Sequence, residues 1–180
     1  MSNIIKIDDN KYNNLLIFGS VILNKVLPAK LQNFDYKKCS NESTNNFINS
    51  DFIKINSNIT NFINQSADLL LENGFKINKK HFHVDFHRYY INNEKYESDL
   101  SWHIDDKGAT HYNVNTVIFY LRKDQTLQGG NLLYKKNTNI RKININKNNI
   151  ILMRGDLVHK PEDIDGYGRR ESIVVQFERI

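Results

Sequence analysis

His81-Phe82-His83-Val84-Asp85-Phe86-His87-Arg88-Tyr89-Tyr90-Ile91 is the stretch on which the fold turns. Side chains of a strand alternate between two faces. Read that way, Phe82, Val84 and Phe86 share one face, and His81, His83, Asp85 and His87 share the other. Before this stretch the apolar pattern is helical. Ile59, Phe62, Ile63, Leu69 and Leu70 form a broad stripe, Asn56 or Ser57 can cap its start, and Asn73-Gly74 ends it. Such a helix is suited to covering one face of a sheet.

Downstream, strand-like segments recur with turn signals about every ten residues. They are 112–121, 131–134 after Gly129-Gly130, 140–145, 149–153, 157–159 and 171–177, with 160–169 read as a loop. The short stretch Ser101-Trp102-His103-Ile104-Asp105-Asp106 is read as a strand as well. Upstream, residues 15–26 cluster apolar side chains and stop at Pro28, which reads as a helix with a strand as the alternative. Residues 33–50 read as loop or short helix, and a short strand fits Ile4–Ile7. Helices first and strands afterwards predict a mainly β chain with flanking N-terminal helices, built as a double-stranded β-helix (a jelly roll, cupin-like). A single domain over 1–180 is expected, with 1–75 a mostly helical flank and 76–180 the jelly-roll catalytic core.

The bulk numbers exclude little. A length of 180 residues suffices for one real core, and the formal charge of +5 is spread in short pairs such as Lys37-Lys38 and Arg169-Arg170. That charge is compatible with nucleic acid but reads first as a solvated surface. The single cysteine, Cys39, excludes an intrachain disulfide framework. No basic region followed by an apolar core opens the chain, and no apolar run reaches ~18 residues, so a cytoplasmic location without membrane partners is expected.

Two His-x-Asp pairs compete for attention: His83-Val84-Asp85 and His103-Ile104-Asp105. Imidazole and carboxylate two apart on a strand point the same way. With one more His from elsewhere they make the two-His-one-carboxylate set that holds non-haem Fe(II) and leaves open positions. The later pair has a partner downstream in His159, beyond a strand, a Gly-Gly turn and another strand. The earlier pair belongs to a histidine cluster (His81, His83, His87) that could instead bind zinc. His103, Asp105 and His159 are therefore the candidate metal ligands. Asp106 has the opposite parity and belongs to the pocket rim or the loop, Trp102 points away from the metal, and His111 is read as surface.

From about His81 onward the chain resembles the 2-oxoglutarate- and Fe(II)-dependent dioxygenases, and within them the prolyl 4-hydroxylase group. The resemblance is carried by His103-Ile104-Asp105, by Thr116-Val117-Ile118-Phe119-Tyr120-Leu121, by Gly129-Gly130-Asn131-Leu132, by His159, and by Gly168-Arg169-Arg170-Glu171-Ser172. It implies hydroxylation of a C–H bond, with Fe(II), 2-oxoglutarate as cosubstrate, O2, and ascorbate as a candidate reductant. The cosubstrate's distal carboxylate then needs a cation with paired donors, which Arg supplies better than Lys. The family's Arg-x-Ser pattern places Arg170 and Ser172 there, with Arg169 the competitor. The resemblance also implies that the Tyr120 hydroxyl meets that carboxylate; a core aromatic is the alternative. Tyr89 or Tyr90 would serve the same pocket and Leu132 would wall it. The implied substrate is a protein or peptide, peptidyl proline first, with substrate loops at 92–99, 106–111 and 122–128. Nucleic acid and a free amino acid are the alternatives. Against nucleic acid, Gln176 stands six residues after Arg170, where the base-repairing branch carries a second Arg. A jelly roll that binds without catalysing is the remaining alternative.

Overall fold

A computed structural model of the chain describes residues 5–7, 46–47, 57–93, 101–107, 111–146 and 149–180, with the side chains of residues 5–7, 46–47, 57–59, 86 and 88 excepted. The helix expected over 15–26 and most of the segment 33–50 lie outside the described residues. Of the proposed N-terminal flank, the described parts are two short strands, β1 (Ile5–Ile7) and β2 (Asn46–Phe47), and one helix, α1 (Ser57–Glu72).

The strands that follow are β3 (Ile77–Asn92), β4 (Val114–Lys123), β5 (Leu127–Gly129), β6 (Leu132–Lys136), β7 (Asn139–Ile143), β8 (Asn149–Arg154), β9 (His159–Pro161) and β10 (Ile164–Arg179). They form a seven-stranded sheet in the order β1-β8-β4-β10-β3-β2, with β5 paired to β10, and a three-stranded sheet in the order β7-β6-β9. The described pairings are antiparallel. Two sheets face each other, as the jelly-roll expectation requires.

Local sequence explains how the layers stack. One face of the large sheet carries Val84, Val117, Phe119, Leu121, Ile150, Leu152, Ile173, Val175 and Phe177, and packs against Phe62, Ile63, Ala67, Leu69 and Leu70 of α1. The opposite face carries Ile118, Tyr120, Ile151 and Met153, and meets Leu132 and Ile145 from the side of the small sheet. Because both faces are covered, β4 is buried at eight successive positions from Val114 to Leu121. A half-exposed strand would show alternation instead. Helix α1 ends at Gly74 (φ 82°), the left-handed position a helix stop favours.

Two expectations are corrected. The segment 160–169 is not a loop: β10 begins at Ile164 and runs sixteen residues. Its first three residues pair with β5, and from Tyr167 it pairs with β3. Gly166 and Gly168, which read as loop residues, lie inside the strand with φ of 103° and 143°, at the point where the strand changes partners. The segment around His103 is not a regular strand either. It forms one isolated antiparallel bridge, His103 to His159, and then turns. No helix among the described residues is long and apolar enough to cross a membrane.

Candidate metal centre and its cavity

The bridge between His103 and His159 is the start of the site. Each residue's amide donates to the other's carbonyl, at 3.0 and 2.9 Å. Residues directly opposite across such a bridge project to the same side, and the two imidazoles lie 4.3 Å apart between centroids. After His103 the chain bends, and the amides of Asp105 and Asp106 both donate to the Gly155 carbonyl, at 2.8 and 3.1 Å. That turn swings the Asp105 carboxylate toward both rings. Its Oδ1 stands 3.9 Å from His103 Nε2 and 3.7 Å from His159 Nε2. One ligand atom from each of the three side chains fits within 4.8 Å of the others, and this is the one such group among the described residues.

The surrounding contacts decide which atoms are presented. His103 Nδ1 lies 2.8 Å from the Ser101 carbonyl, and His159 Nδ1 lies 2.9 Å from the Leu157 carbonyl. A carbonyl only accepts, so each Nδ1 carries the proton and each Nε2 keeps its lone pair. Burial lowers the His159 pKa, with the Asp105 charge opposing, which favours the neutral ring a metal requires. The Thr116 hydroxyl donates to Asp105 Oδ2 at 2.7 Å. That leaves Oδ1 for the metal. The donor set fits a facial two-His-one-carboxylate site.

The turn itself is braced by groups that strand parity could not reveal. Asp106 accepts from the Val114 amide at 2.8 Å and from Arg179 Nη2 at 2.6 Å. It ties the turn that carries Asp105 to the start of β4 and the end of β10. A Cβ on Gly155 would collide with the Asp106 carboxylate and with Val114, so the close approach needs glycine.

The three side chains open onto a cavity of about 290 Å³. Arg170 is on its wall, only 4% exposed. The guanidinium lies over the rings of Tyr89 and Tyr120, 5.5 and 5.1 Å from their centroids, and hydrogen-bonds to the Tyr120 hydroxyl. Its Nε has no partner among the described residues. Burial raises the Tyr120 pKa, with Arg170 opposing, so the phenol stays protonated and can donate. A β-bulge between Glu171 and Ser172 sets this geometry by skipping Leu121, so that Ser172 lies opposite Tyr120 and Arg170 opposite Lys123. Burial, and then Arg170, lower the Lys123 pKa. Gly130 comes close on the other side, where a Cβ would lie 3.4 Å from Arg170 Cδ. A buried guanidinium between two tyrosines, with its Nε unpartnered, fits a carboxylate.

The remaining expected positions fall as follows. Tyr89, Leu132 and Ser172 line the cavity. Arg169 lies over Tyr90 at 5.1 Å, away from the cavity. Trp102 is outside the lining, with Lys135 and Lys160 over its ring at 4.8 and 5.7 Å. The histidine cluster is split. His81 pairs with Glu178 at 2.8 Å, His83 with Asp85 at 3.1 Å, and His87 lies 3.2 Å from the Tyr89 hydroxyl. Asp85 and His87 line the same cavity as the metal set. Loop residues 94–100 and 108–110 lie outside the described residues. Sequence reasoning passed over Thr116, Gly155 and Arg179; Thr116 alone had a signal, as the first residue of the Thr-x-x-x-Tyr-Leu pattern.

No family model matches the chain, and no curated protein matches it. Solved structures do. A prolyl-4-hydroxylase from Pseudomonas putida superposes with a TM-score of 0.63 at 12% identity, over 100% of this chain and 94% of the other. The viral collagen prolyl hydroxylase of Paramecium Bursaria Chlorella virus-1, in its 2OG complex, gives 0.56 at 18% identity, over 97% and 94%. A Trichoplax adhaerens prolyl hydroxylase bound to a peptide fragment of the hypoxia inducible factor oxygen degradation domain gives 0.62 at 14%, over 98% and 83%. What is shared at such identities is the fold. This chain has the double-stranded β-helix of the prolyl hydroxylases and related 2-oxoglutarate–Fe(II) oxygenases.

Proposed function

We propose that this chain is an Fe(II)- and 2-oxoglutarate-dependent dioxygenase that hydroxylates a C–H bond of a peptide, at proline or another side chain. The observation that carries the reading is the convergence of His103 Nε2, Asp105 Oδ1 and His159 Nε2 on a cavity whose wall holds the buried guanidinium of Arg170. The neighbours named as prolyl hydroxylases, one of them bound to a peptide, support a peptide substrate.

His103, Asp105 and His159 would hold the ion, oriented by the Ser101 and Leu157 carbonyls and by the Thr116 hydroxyl. Arg170 would take the distal carboxylate of 2-oxoglutarate, with the Tyr120 hydroxyl as a second donor and Ser172 beside it. Ile118, Leu132 and Met153 keep the cavity wall apolar, which limits water and strengthens the charge contacts inside. The bound ion and cosubstrate would together activate O2, one oxygen atom going to succinate as 2-oxoglutarate loses CO2 and the other to the substrate C–H bond.

Anaerobic titration with Fe(II) and 2-oxoglutarate tests this. The expected result is a visible charge-transfer band, followed by succinate formation on admitting oxygen. Absence of both in the folded protein would leave a jelly-roll binding module. Succinate release stimulated by proline-rich peptides, and not by single-stranded oligonucleotides, would identify the substrate class.

A further inference from the structure

A second polar region of the cavity is not used by the metal or by the carboxylate anchor. Asp85 and Gln176 both line the cavity. Across the β3–β10 pair, His83 is opposite Gln176, Asp85 opposite Val174, His87 opposite Ser172 and Tyr89 opposite Arg170. Asp85 and Gln176 are therefore diagonal neighbours on the inward face, and the Arg170 anchor lies toward the other end of the same rows. On its other side Gln176 is opposite Thr116, the residue that holds Asp105. The pair thus borders the metal set.

Neither group is satisfied. Asp85 Oδ2 lies 3.1 Å from His83 Nε2, and its buried Oδ1 has no hydrogen-bond partner. Gln176 is 7% exposed and its buried Oε1 has none either. A buried carboxylate oxygen left without a donor is unfavourable by a few kcal/mol, and the side chain that carries it lines the cavity, so a partner that arrives there best explains it. His87, the next inward residue along β3, does not offset the charge: burial lowers its pKa to about 4, against the opposing pull of Asp85. Arg170, the cavity's own cation, is turned to Tyr89 and Tyr120.

An apolar group placed here would leave both acceptors unsatisfied, and an anion would be repelled. A group with N–H donors and positive charge satisfies Asp85 and hydrogen-bonds the Gln176 carbonyl. Building on the oxygenase reading, we propose that Asp85 and Gln176 form the subsite that selects the prime substrate, and that they take an ammonium group lying close to the carbon that reacts. A cavity of about 290 Å³ shared with ion and cosubstrate admits one side chain or one small residue, so the ammonium is the α-nitrogen of a residue or the tip of a basic side chain.

Two matched ligand pairs separate these sources. L-Prolinamide against N-acetyl-L-prolinamide varies the α-ammonium, and Nα-acetyl-L-lysinamide against Nα-acetyl-L-norleucinamide varies the side-chain ammonium. Binding is measured by calorimetry on the full chain loaded with Zn(II) and 2-oxoglutarate, which blocks turnover. The charged member of one pair should bind roughly tenfold tighter or more, the range of a charge-assisted hydrogen bond. Asp85→Asn, nearly isosteric, should remove that preference. Failure of the wild-type protein to discriminate within either pair overturns the proposal without reference to any variant, and so does a preference that persists in Asp85→Asn. The Fe(II)–2-oxoglutarate band reads the oxygenase assignment separately, so either conclusion can fail alone.

Discussion

The chain contains the same three-residue pattern twice, and the two copies behave differently. His83-Val84-Asp85 lies in the regular strand β3. There the spacing sets the two side chains alongside each other, and they pair at 3.1 Å. His103-Ile104-Asp105 lies in a single bridge followed by a turn. There imidazole and carboxylate stand 3.9 Å apart, and His159 closes the triangle. A regular strand sets imidazole and carboxylate against each other, which leaves the Asp85 Oδ1 without a partner; the bend spreads the second pair so that a third side chain can join it. Both copies reach one cavity, so the difference is one of role and not of location.

The first way to break this comparison is at the ligands. His103→Ala, Asp105→Ala or His159→Ala should each weaken Fe(II) binding by more than about hundredfold, beyond the ~10–100-fold seen when only an outer partner is lost. His83→Ala should change it by less than about threefold, since His83 touches Asp85 and not the triangle. Metal titration followed by the visible band would measure both, and the reverse ranking would assign the site to the earlier pair. Arg170→Gln should raise the 2-oxoglutarate KM by on the order of a hundredfold through loss of a charge-assisted pair, while Arg170→Lys should recover part of it. The metal affinity should barely move, which separates anchor from ligand.

The comparison is sharpened by Thr116→Val. This change frees Asp105 Oδ2 and should lower metal affinity by roughly 10–100-fold. It tests whether the bend alone sets the carboxylate or needs its hydroxyl partner. A smaller effect tests the region between the two copies. His87 has a folded-state pKa of about 4 because burial disfavours its charged form. The unfolded chain takes up that proton near pH 6.5, so acid favours unfolding. The contribution of neutral His87 is complete above about pH 6.5 and is lost as pH falls toward 4; at most it is roughly 3 kcal/mol. In urea melts of the metal-free protein, His87→Asn should flatten the fall in stability over that window.

Much of the scaffold was legible because its cause is local. The stripe from Ile59 to Leu70 and the stop at Asn73-Gly74 define a helix without reference to the rest of the chain, and α1 spans Ser57–Glu72. Alternation from Phe82 onward defines β3 in the same way. The end of the loop read at 160–169 was not legible, because Ile164–Gly166 become strand only through pairing with β5, a segment more than thirty residues earlier.

By itself the sequence determined the residue types and their order: two histidines and a carboxylate, a Thr-x-x-x-Tyr strand, a Gly-Gly step and a late Arg-Arg pair. It also determined that a helix ending at Asn73-Gly74 leads into a long strand. Only the tertiary structure decided which His-x-Asp is held open and which arginine faces the cavity. It also decided that Asp106, read as rim or loop, fastens the turn that carries Asp105 to β4 and β10. The reason is that parity within one strand is a local property, whereas facing is set by partners. Arg170 points inward because the β10 register places it opposite Tyr89 and Lys123. His103 and Asp105 converge because the Gly155 carbonyl bends the chain between them and the rest of the turn. No count of residues along a strand contains either contact.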